Sequence, residues 1–394
     1  MNSHAIFCPN PACPASGRID AGNIWIHSRT PPRYRCTVCR RTFSPRAGTP
    51  YYRRSTDEAT ITQVLTLLAH GCPIPAIEVT FGVQRQTVRD WLDAAGGQCA
   101  AVHQHLICQP RDLGQVQADE IRVKQQGGVI WVALALMVTT RLWLGGAISP
   151  RRDGALIARL CVLIRACALP APLLVCVDGF AAYVTQVRRM ARSPEPRDGR
   201  RGRCRLVAWP GLVIGQVVKQ RADRRVVGVT RRLAHGTHRW AKRLLGAGTI
   251  QTAYIERLNG TFRARLASLA RRTRGLGRTV ARLEAGMWLV GTVYNFCTPH
   301  RSLTCGQTPA MAAAGALWAG ATMCGAWTNC CTTGCRPRAG ERRRNGGGGR
   351  KQRRRSSRGG QHDHRSPSTY PKRREEGILS FLLLPFVLFV SSWL

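Results

Sequence analysis

Three carboxylates in this chain stand where acids are out of place. Asp119 lies within the strand-like run GQVQADEIRVK, Asp178 closes the apolar stretch PLLVCVD, and Glu256 sits in TAYIERLNGTFRAR, a segment crowded with arginine. Carboxylates from distant segments that converge can chelate hard divalent cations through oxygen. Two such cations about 3.5–4 Å apart stabilise both the attacking and the leaving oxygen of an in-line phosphodiester transfer. The plain alternative for Glu256 is a surface acid paired with its basic neighbours. Glu120 is a rival to Asp119. Side chains alternate along a strand, so the two face opposite sides of a sheet and only one is expected to join a site with Asp178. Asp119 is preferred because it shares a face with Ile121 and Val123, but the sequence alone leaves either choice open.

A second constellation is built from sulfur. Cys8 and Cys13 are spaced C-x4-C in CPNPAC, and Cys36 and Cys39 are spaced C-x2-C in YRCTVCRRTFS, which suits two knuckles closing a tetrahedral thiolate site for zinc. About fifty residues bury too little apolar surface to fold unaided, so bound zinc would supply the missing stability. Tyr34, Arg35, Arg40, Arg41 and Phe43 around the second knuckle suit a DNA-facing surface, and His27 reads as a bystander.

Several elements must position these groups. Ser55 and Glu58 read as a capping box, followed by the helical stripe Ile61, Val64, Leu65 and Leu68. Ile77, Phe81, Val83, Val88, Trp91 and Leu92, with Gly82 at the turn, have helix-turn-helix spacing. Gln84, Arg85, Gln86 and Arg89 would then face outward toward base edges and phosphates, while Glu78 stands where such motifs usually place a small residue. From Gly114 the pattern predicts a three-stranded meander, a helix over DGALIARLCVLIRACAL, and a buried strand ending at Asp178 that turns through Gly179 into another helix. RRMARSPEPRDGRRGRCR reads as a solvated basic loop, RLVAWPGLVIGQVVKQ as strand, and helices return from Thr249 to Tyr294. On the Glu256 helix, Ile255, Leu258, Phe262, Leu266 and Leu269 form one apolar stripe. Asn259 and Arg263 share the face of Glu256, and Arg257, Arg265, Arg271, Arg272 and Arg274 read as phosphate anchors.

Composition narrows the partners. Sixty Lys and Arg against 20 Asp and Glu give a formal charge of +40, which points to a polyanion, nucleic acid first. Residues 341–376 hold 13 Lys and Arg and 4 Asp and Glu, so an excess of 31 remains elsewhere and the tail does not explain the charge. The 17 cysteines are an odd number in a long chain whose start lacks a secretory pattern; a reducing, cytoplasmic setting is expected.

Together CPNPAC…YRCTVCRRTFS, FGVQRQTVRDWL, ADEIRVK, VDGFAAYV, TAYIERLNGTFRARL and VYNFCTPHRSL…TPAMAA resemble bacterial insertion-sequence transposases of the DDE type, in the insertion-sequence-one-like group with an N-terminal zinc ribbon. The resemblance covers roughly residues 5 to 314. It implies an α/β fold in which a ribonuclease H-like catalytic core at 110–314 follows a zinc ribbon at 1–50 and an all-α helix-turn-helix domain at 51–100. It also implies cleavage of element ends and joining to target DNA with Mg²⁺ or Mn²⁺. Asp119, Asp178 and Glu256 match the catalytic and metal-binding acids, and Cys8, Cys13, Cys36 and Cys39 the zinc ligands. His235 or His238 falls where some members use a histidine, with an ordinary loop role equally open for each. His300 and Arg301 suit DNA contact. DNA and a homo-oligomer are the implied partners, and the nucleoid the implied location. The departure is residues 315–394: a disordered basic tail, expected to be out-of-frame or fused sequence after about Ala314. Its final 17-residue apolar run, interrupted by Pro385, is shorter than the ~20 residues a membrane span needs, which argues against a membrane partner.

Overall fold

The computed structural model describes residues 6–314, except 11, 16–21, 48, 126, 196–203, 224, 270–278 and 304–305. Arg271, Arg272, Arg274 and the predicted tail lie outside the described residues. The chain begins with a small antiparallel sheet of β1 (Ile24–Arg29), β2 (Pro32–Cys36) and β3 (Thr42–Phe43). Its core is minimal: Cys8, Cys13, Ala15, Tyr34, Cys36 and Phe43 are the buried cluster.

Three helices follow: α1 (Glu58–Ala69), α2 (Ile74–Phe81) and α3 (Arg85–Leu106). The predicted cap is displaced by two residues. Asp57, not Ser55, caps α1, its carboxylate accepting from the Thr60 N–H at 2.8 Å; an anion at this end of a helix also meets the positive pole of the dipole. Gly82 terminates α2 in the left-handed conformation at φ 63°, where a side chain would be strained. Glu78 does not disturb the packing of α2 on α3, because it lies at the surface in an ion pair with Arg85. Helix α3 runs past residue 100 to Leu106 and lies along α8, defined below. Gly96 permits the contact, since an added Cβ would lie 2.5 Å from the Ala285 Cα.

The remainder is α/β. Its elements are β4 (Gln115–Gln125), β5 (Gly128–Met137), β6 (Trp143–Ser149), α4 (Gly154–Cys167), β7 (Leu173–Asp178) and α5 (Ala181–Met190). Then come β8 (Arg192–Pro194), β9 (Leu206–Ala208), β10 (Leu212–Ala222), β11 (Arg225–His235), α6 (His238–Leu245), α7 (Ala253–Arg265), a 3-10 turn (Ala267–Leu269), α8 (Val280–Cys297) and α9 (Pro309–Ala314). A six-stranded mixed sheet has the order β11-β10-β7-β4-β5-β6. Strands β4, β7 and β10 are parallel, while β5, β6 and β11 run against their neighbours.

Two departures from the predicted elements concern the segments flanking the sheet. The basic stretch after α5 is not wholly a loop, because β8 pairs with β9. The segment between β10 and the Glu256 helix holds β11 and α6, which the sequence reading omitted; β11 is an edge strand whose Val226, Val227 and Val229 are exposed rather than bound for the core.

The sheet's two faces are filled differently. Val116, Ala118, Ala133, Val175 and Val177 pack with α3, α4 and α5. Ile121, Val123, Ile130, Val132 and Leu134 pack with Ile255, Leu258 and Phe262 of α7 and Met287 and Val290 of α8. Asn295 of α8 ties that layer to the edge strand: its Oδ1 accepts from the Trp143 N–H and its Nδ2 donates to the Trp143 carbonyl, both at 2.9 Å. No helix among the described residues is long and apolar enough to cross a membrane.

Candidate functional site

The strand face that carries Asp119 also fixes the helix that carries Glu256. Buried Gln117, two residues before Asp119 on the same face, accepts from the Tyr254 and Ile255 N–H groups, each at 3.0 Å. Two backbone donors that the start of α7 would leave without a partner are thereby satisfied. Asn259, one turn beyond Glu256, donates to Asp119 Oδ2 at 2.8 Å. Asp178 is set by the turn that ends β7, its Oδ1 accepting from the Phe180 N–H at 2.9 Å while its carbonyl accepts from the Gln216 amide at 3.2 Å.

Carboxylate oxygens of Asp119, Glu120 and Asp178 all lie within 4.8 Å of one another. The expectation that only one of Asp119 and Glu120 could approach Asp178 is therefore corrected. Alternation itself holds: Asp119 meets Asn259 on the α7 side, whereas Glu120 meets Arg152 from the loop leading into α4. What admits both is the end of the β4–β7 ladder, whose last pair is Gln117 with Cys176. Beyond that pair the strands part, and acids from either face of β4 reach Asp178 around the open strand. Glu256 lines the same cleft, of about 1060 Å³, but stands outside the group of three. Its Oε1 accepts from Lys219 Nζ at 2.6 Å and from the Thr252 hydroxyl at 2.9 Å.

The electrostatics match this crowding. Burial, then the charges of Glu120, Asp178 and Glu256, push the Asp119 carboxyl up to about 7. Burial and Asp178 likewise raise Glu120, against the pull of Arg152. Burial would raise Glu256 too, but Lys219 and Thr252 outweigh it and hold the group below its ordinary value. Arg152 bridges Glu120 at 2.9 Å and Asp178 at 2.7 Å.

The donors suit a hard divalent cation: three carboxylates converge, two of them from opposite faces of one strand. The Tyr183 hydroxyl is buried beside Glu120. Gln117, Arg152, Lys219 and Tyr183 were not singled out from the sequence. Gln117 alone had a signal there, as a polar residue in phase with Asp119 along a strand otherwise bound for the core.

The four cysteines form a second group, with all sulfurs within 4.8 Å of one another. Cys8 and Cys39 are 3.5 Å apart and Cys13 and Cys36 3.8 Å apart. A tetrahedron with Zn–S bonds of ~2.3 Å has edges of ~3.8 Å, so the spacing fits one zinc ion. The Asn23 amide donates to Cys36 Sγ at 3.4 Å. Burial opposes ionisation of Cys39, but the Arg41 N–H and the Asn10 side chain prevail and lower its thiol to about 7.

The remaining predicted contacts are dispersed. Gln84, Arg85 and Gln86 are exposed at the start of α3; Arg85 pairs with Glu78, and Gln86 donates to Asp90 at 2.8 Å. Arg89 is half-buried. Arg263 lines the acid cleft and Arg257 is exposed on another side of α7. Arg265 is half-buried and donates to the Thr298 hydroxyl at 3.3 Å, so it ties α7 to the end of α8. His235 ends β11 and His238 opens α6; neither lines the cleft.

Comparison with known proteins adds nothing to this geometry. No protein-family model and no curated protein matches the chain.

Proposed function

We propose that the chain is a metal-dependent DNA strand transferase of the DDE transposase type, with a ribonuclease H-like core behind a zinc ribbon and a helix-turn-helix. The observation that carries this reading is the convergence of Asp119 and Glu120, in mid-β4 just past the last β4–β7 pair, with Asp178 at the end of β7, and with Glu256 across the cleft. The strand order β6-β5-β4-β7-β10, in which β6, β4, β7 and β10 share one direction and β5 runs against them, supports the fold assignment. Asp119, Glu120 and Asp178 would hold Mg²⁺ or Mn²⁺, with Glu256 completing the set once released from Lys219. The cations would supply charge stabilisation to the attacking and leaving oxygens of an in-line transfer.

The chain's own groups do the rest. Asn259 orients Asp119, the Phe180 N–H orients Asp178, and Gln117 anchors the helix that presents Glu256. Arg263 and Lys219 line the cleft as cations for the DNA backbone. The exposed start of α3 offers Gln84, Arg85 and Gln86 to DNA, and a homo-oligomer would pair two element ends.

The test is DNA cleavage with Mg²⁺ by the full chain on a plasmid bearing candidate inverted repeats. Asp119→Asn, Asp178→Asn and Glu256→Gln are expected to abolish nicking while DNA binding persists; a variant that still nicks loses its assigned role. One observation favours a second reading, a DNA-binding protein without catalysis: Glu120, Asp178 and Glu256 already have internal cation partners. On that reading wild-type protein binds DNA but yields no Mg²⁺-dependent product.

A further inference from the structure

Helix α7 separates two depressions of opposite character. On one side is the acid cleft. On the other is a smaller pocket of about 220 Å³ lined by Arg141, Tyr254, Arg257, Tyr294, His300 and Ser302, among others, with no carboxylate in its lining. That is below the roughly 300 Å³ at which drug-sized ligand sites begin, so it has room for a small group rather than a nucleoside. We infer that this pocket binds a backbone phosphate of DNA, gripped by Arg141 and Arg257 and by a hydrogen bond from His300.

The pocket is built rather than incidental. Arg141 occupies the left-handed region at φ 61° in the turn between β5 and β6, a conformation that its surroundings fix. The surroundings here are the Tyr294 hydroxyl, which donates to the Arg141 carbonyl at 3.0 Å, and the Tyr254 ring, whose centroid lies 3.7 Å from the guanidinium carbon. One guanidinium nitrogen donates to the Val138 carbonyl. The Nε is buried with no hydrogen-bond partner, which leaves a charge-bearing donor unsatisfied.

His300 is oriented by its neighbour. Its Nδ1 lies 2.9 Å from the Ser302 hydroxyl and receives the Ser302 N–H at 3.4 Å. A ring that accepts at Nδ1 carries its proton at Nε2, where it is a donor. Burial first, then the charges of Arg141 and Arg257, lower its pKa, so the ring stays neutral beside two cations until an anion arrives. Two guanidinium groups and a neutral N–H donor match the acceptor-only oxygens of a phosphodiester.

Taking the phosphate to be that of DNA rests on the proposed function, whereas the anion chemistry rests on the lining alone. The experiment is the salt dependence of duplex binding by the full chain in four forms: wild type, Arg257→Gln, Arg141→Gln/Arg257→Gln, and Arg159→Gln on the exposed side of α4 as a control of equal charge loss. Loss of one phosphate contact is expected to reduce the slope of log K against log salt by about 0.9, equally for unrelated duplexes. Arg257 is exposed, so its single variant keeps the test valid if the double variant folds poorly. A slope for Arg257→Gln equal to that of Arg159→Gln overturns the assignment, even where wild-type protein cleaves DNA. Inorganic phosphate separates the two sources: if it raises the melting temperature of wild type but not of Arg257→Gln while the DNA slopes agree, the pocket takes the free anion and the DNA assignment falls. Wild-type protein that binds no duplex removes both this proposal and the proposed function. A cleavage-dead Asp178→Asn protein that retains the Arg257 effect leaves the pocket standing alone.

Discussion

The cysteine group and the acid cleft are both clusters of metal-type ligands, yet they balance their charge in different ways. In the first, four sulfurs crowd together within hydrogen-bond distance of one another and of an amide donor. In the second, Glu120 and Asp178 share the Arg152 guanidinium, and Glu256 has the Lys219 ammonium. A cluster with built-in cations can fold before a metal arrives; one whose ligands face mainly each other depends on the ion to hold them. On the proposed function the first would hold a structural ion and the second an exchangeable one.

The contrast breaks most readily with a chelator. Exhaustive EDTA treatment, or Cys36→Ser, is expected to unfold the β1–β3 sheet entirely, since structural zinc contributes roughly 10–16 kcal/mol to small domains. The α/β body should stay folded, and limited proteolysis with mass mapping would locate the boundary. Wholesale loss of the six-stranded sheet on chelation would erase the distinction.

Next in size are substitutions inside the cleft. Glu120→Gln is expected to lower Mg²⁺-dependent nicking by more than the roughly 10–100-fold that follows loss of a group that merely orients a metal ligand. Wild-type rates in that variant would return Glu120 to a purely structural pairing with Arg152.

Acidity sharpens the comparison further. The Asp119 carboxyl titrates at about 7 in the fold against an ordinary 3.8, so the native protein holds a proton that the unfolded chain releases. Its contribution to stability is full below about pH 4 and is lost as pH rises towards 7, a change on the order of a few kcal/mol. On the proposed function Mg²⁺ would replace that proton, so it should raise the melting temperature more at pH 8 than at pH 5, and the difference should shrink in Asp119→Asn. A Mg²⁺ effect independent of pH would uncouple Asp119 from the metal.

The smallest effect expected is that of Gln117→Leu, which deprives two N–H groups of their acceptor at the start of α7. The cost is about 1–3 kcal/mol in urea unfolding, with nicking reduced through the looser placement of Glu256.

How far these features could be read from the sequence follows from the range of the forces behind them. The knuckle cysteines, the Gly82 turn and the α1 stripe are local patterns, and Ile61, Val64, Leu65 and Leu68 are buried where the period puts them. The approach of Glu120 to Asp178 was not legible, because alternation says which face a side chain takes but not where a ladder to another strand stops. Strand β11 escaped because its valines lie exposed among arginines, and helix α6 because its eight residues are too few for Trp240, Ala241, Leu244 and Leu245 to establish a period. Arg152 and Lys219 had no signal among so many basic residues; only the folded cleft selects them.

Helix α3 carries one more consequence. Its 22 residues make a rod about 33 Å long. The leading end bears Gln84 and Arg85, and the middle is clamped along α8 by the Gly96–Ala285 contact and by Asp93 with Arg282 at 3.7 Å. The helix is continuous between them, so on the proposed function whatever is gripped at the tip would stay at a fixed offset from the body. On the proposed function the rod would serve as a ruler between a recognised sequence and the place where a strand is cut.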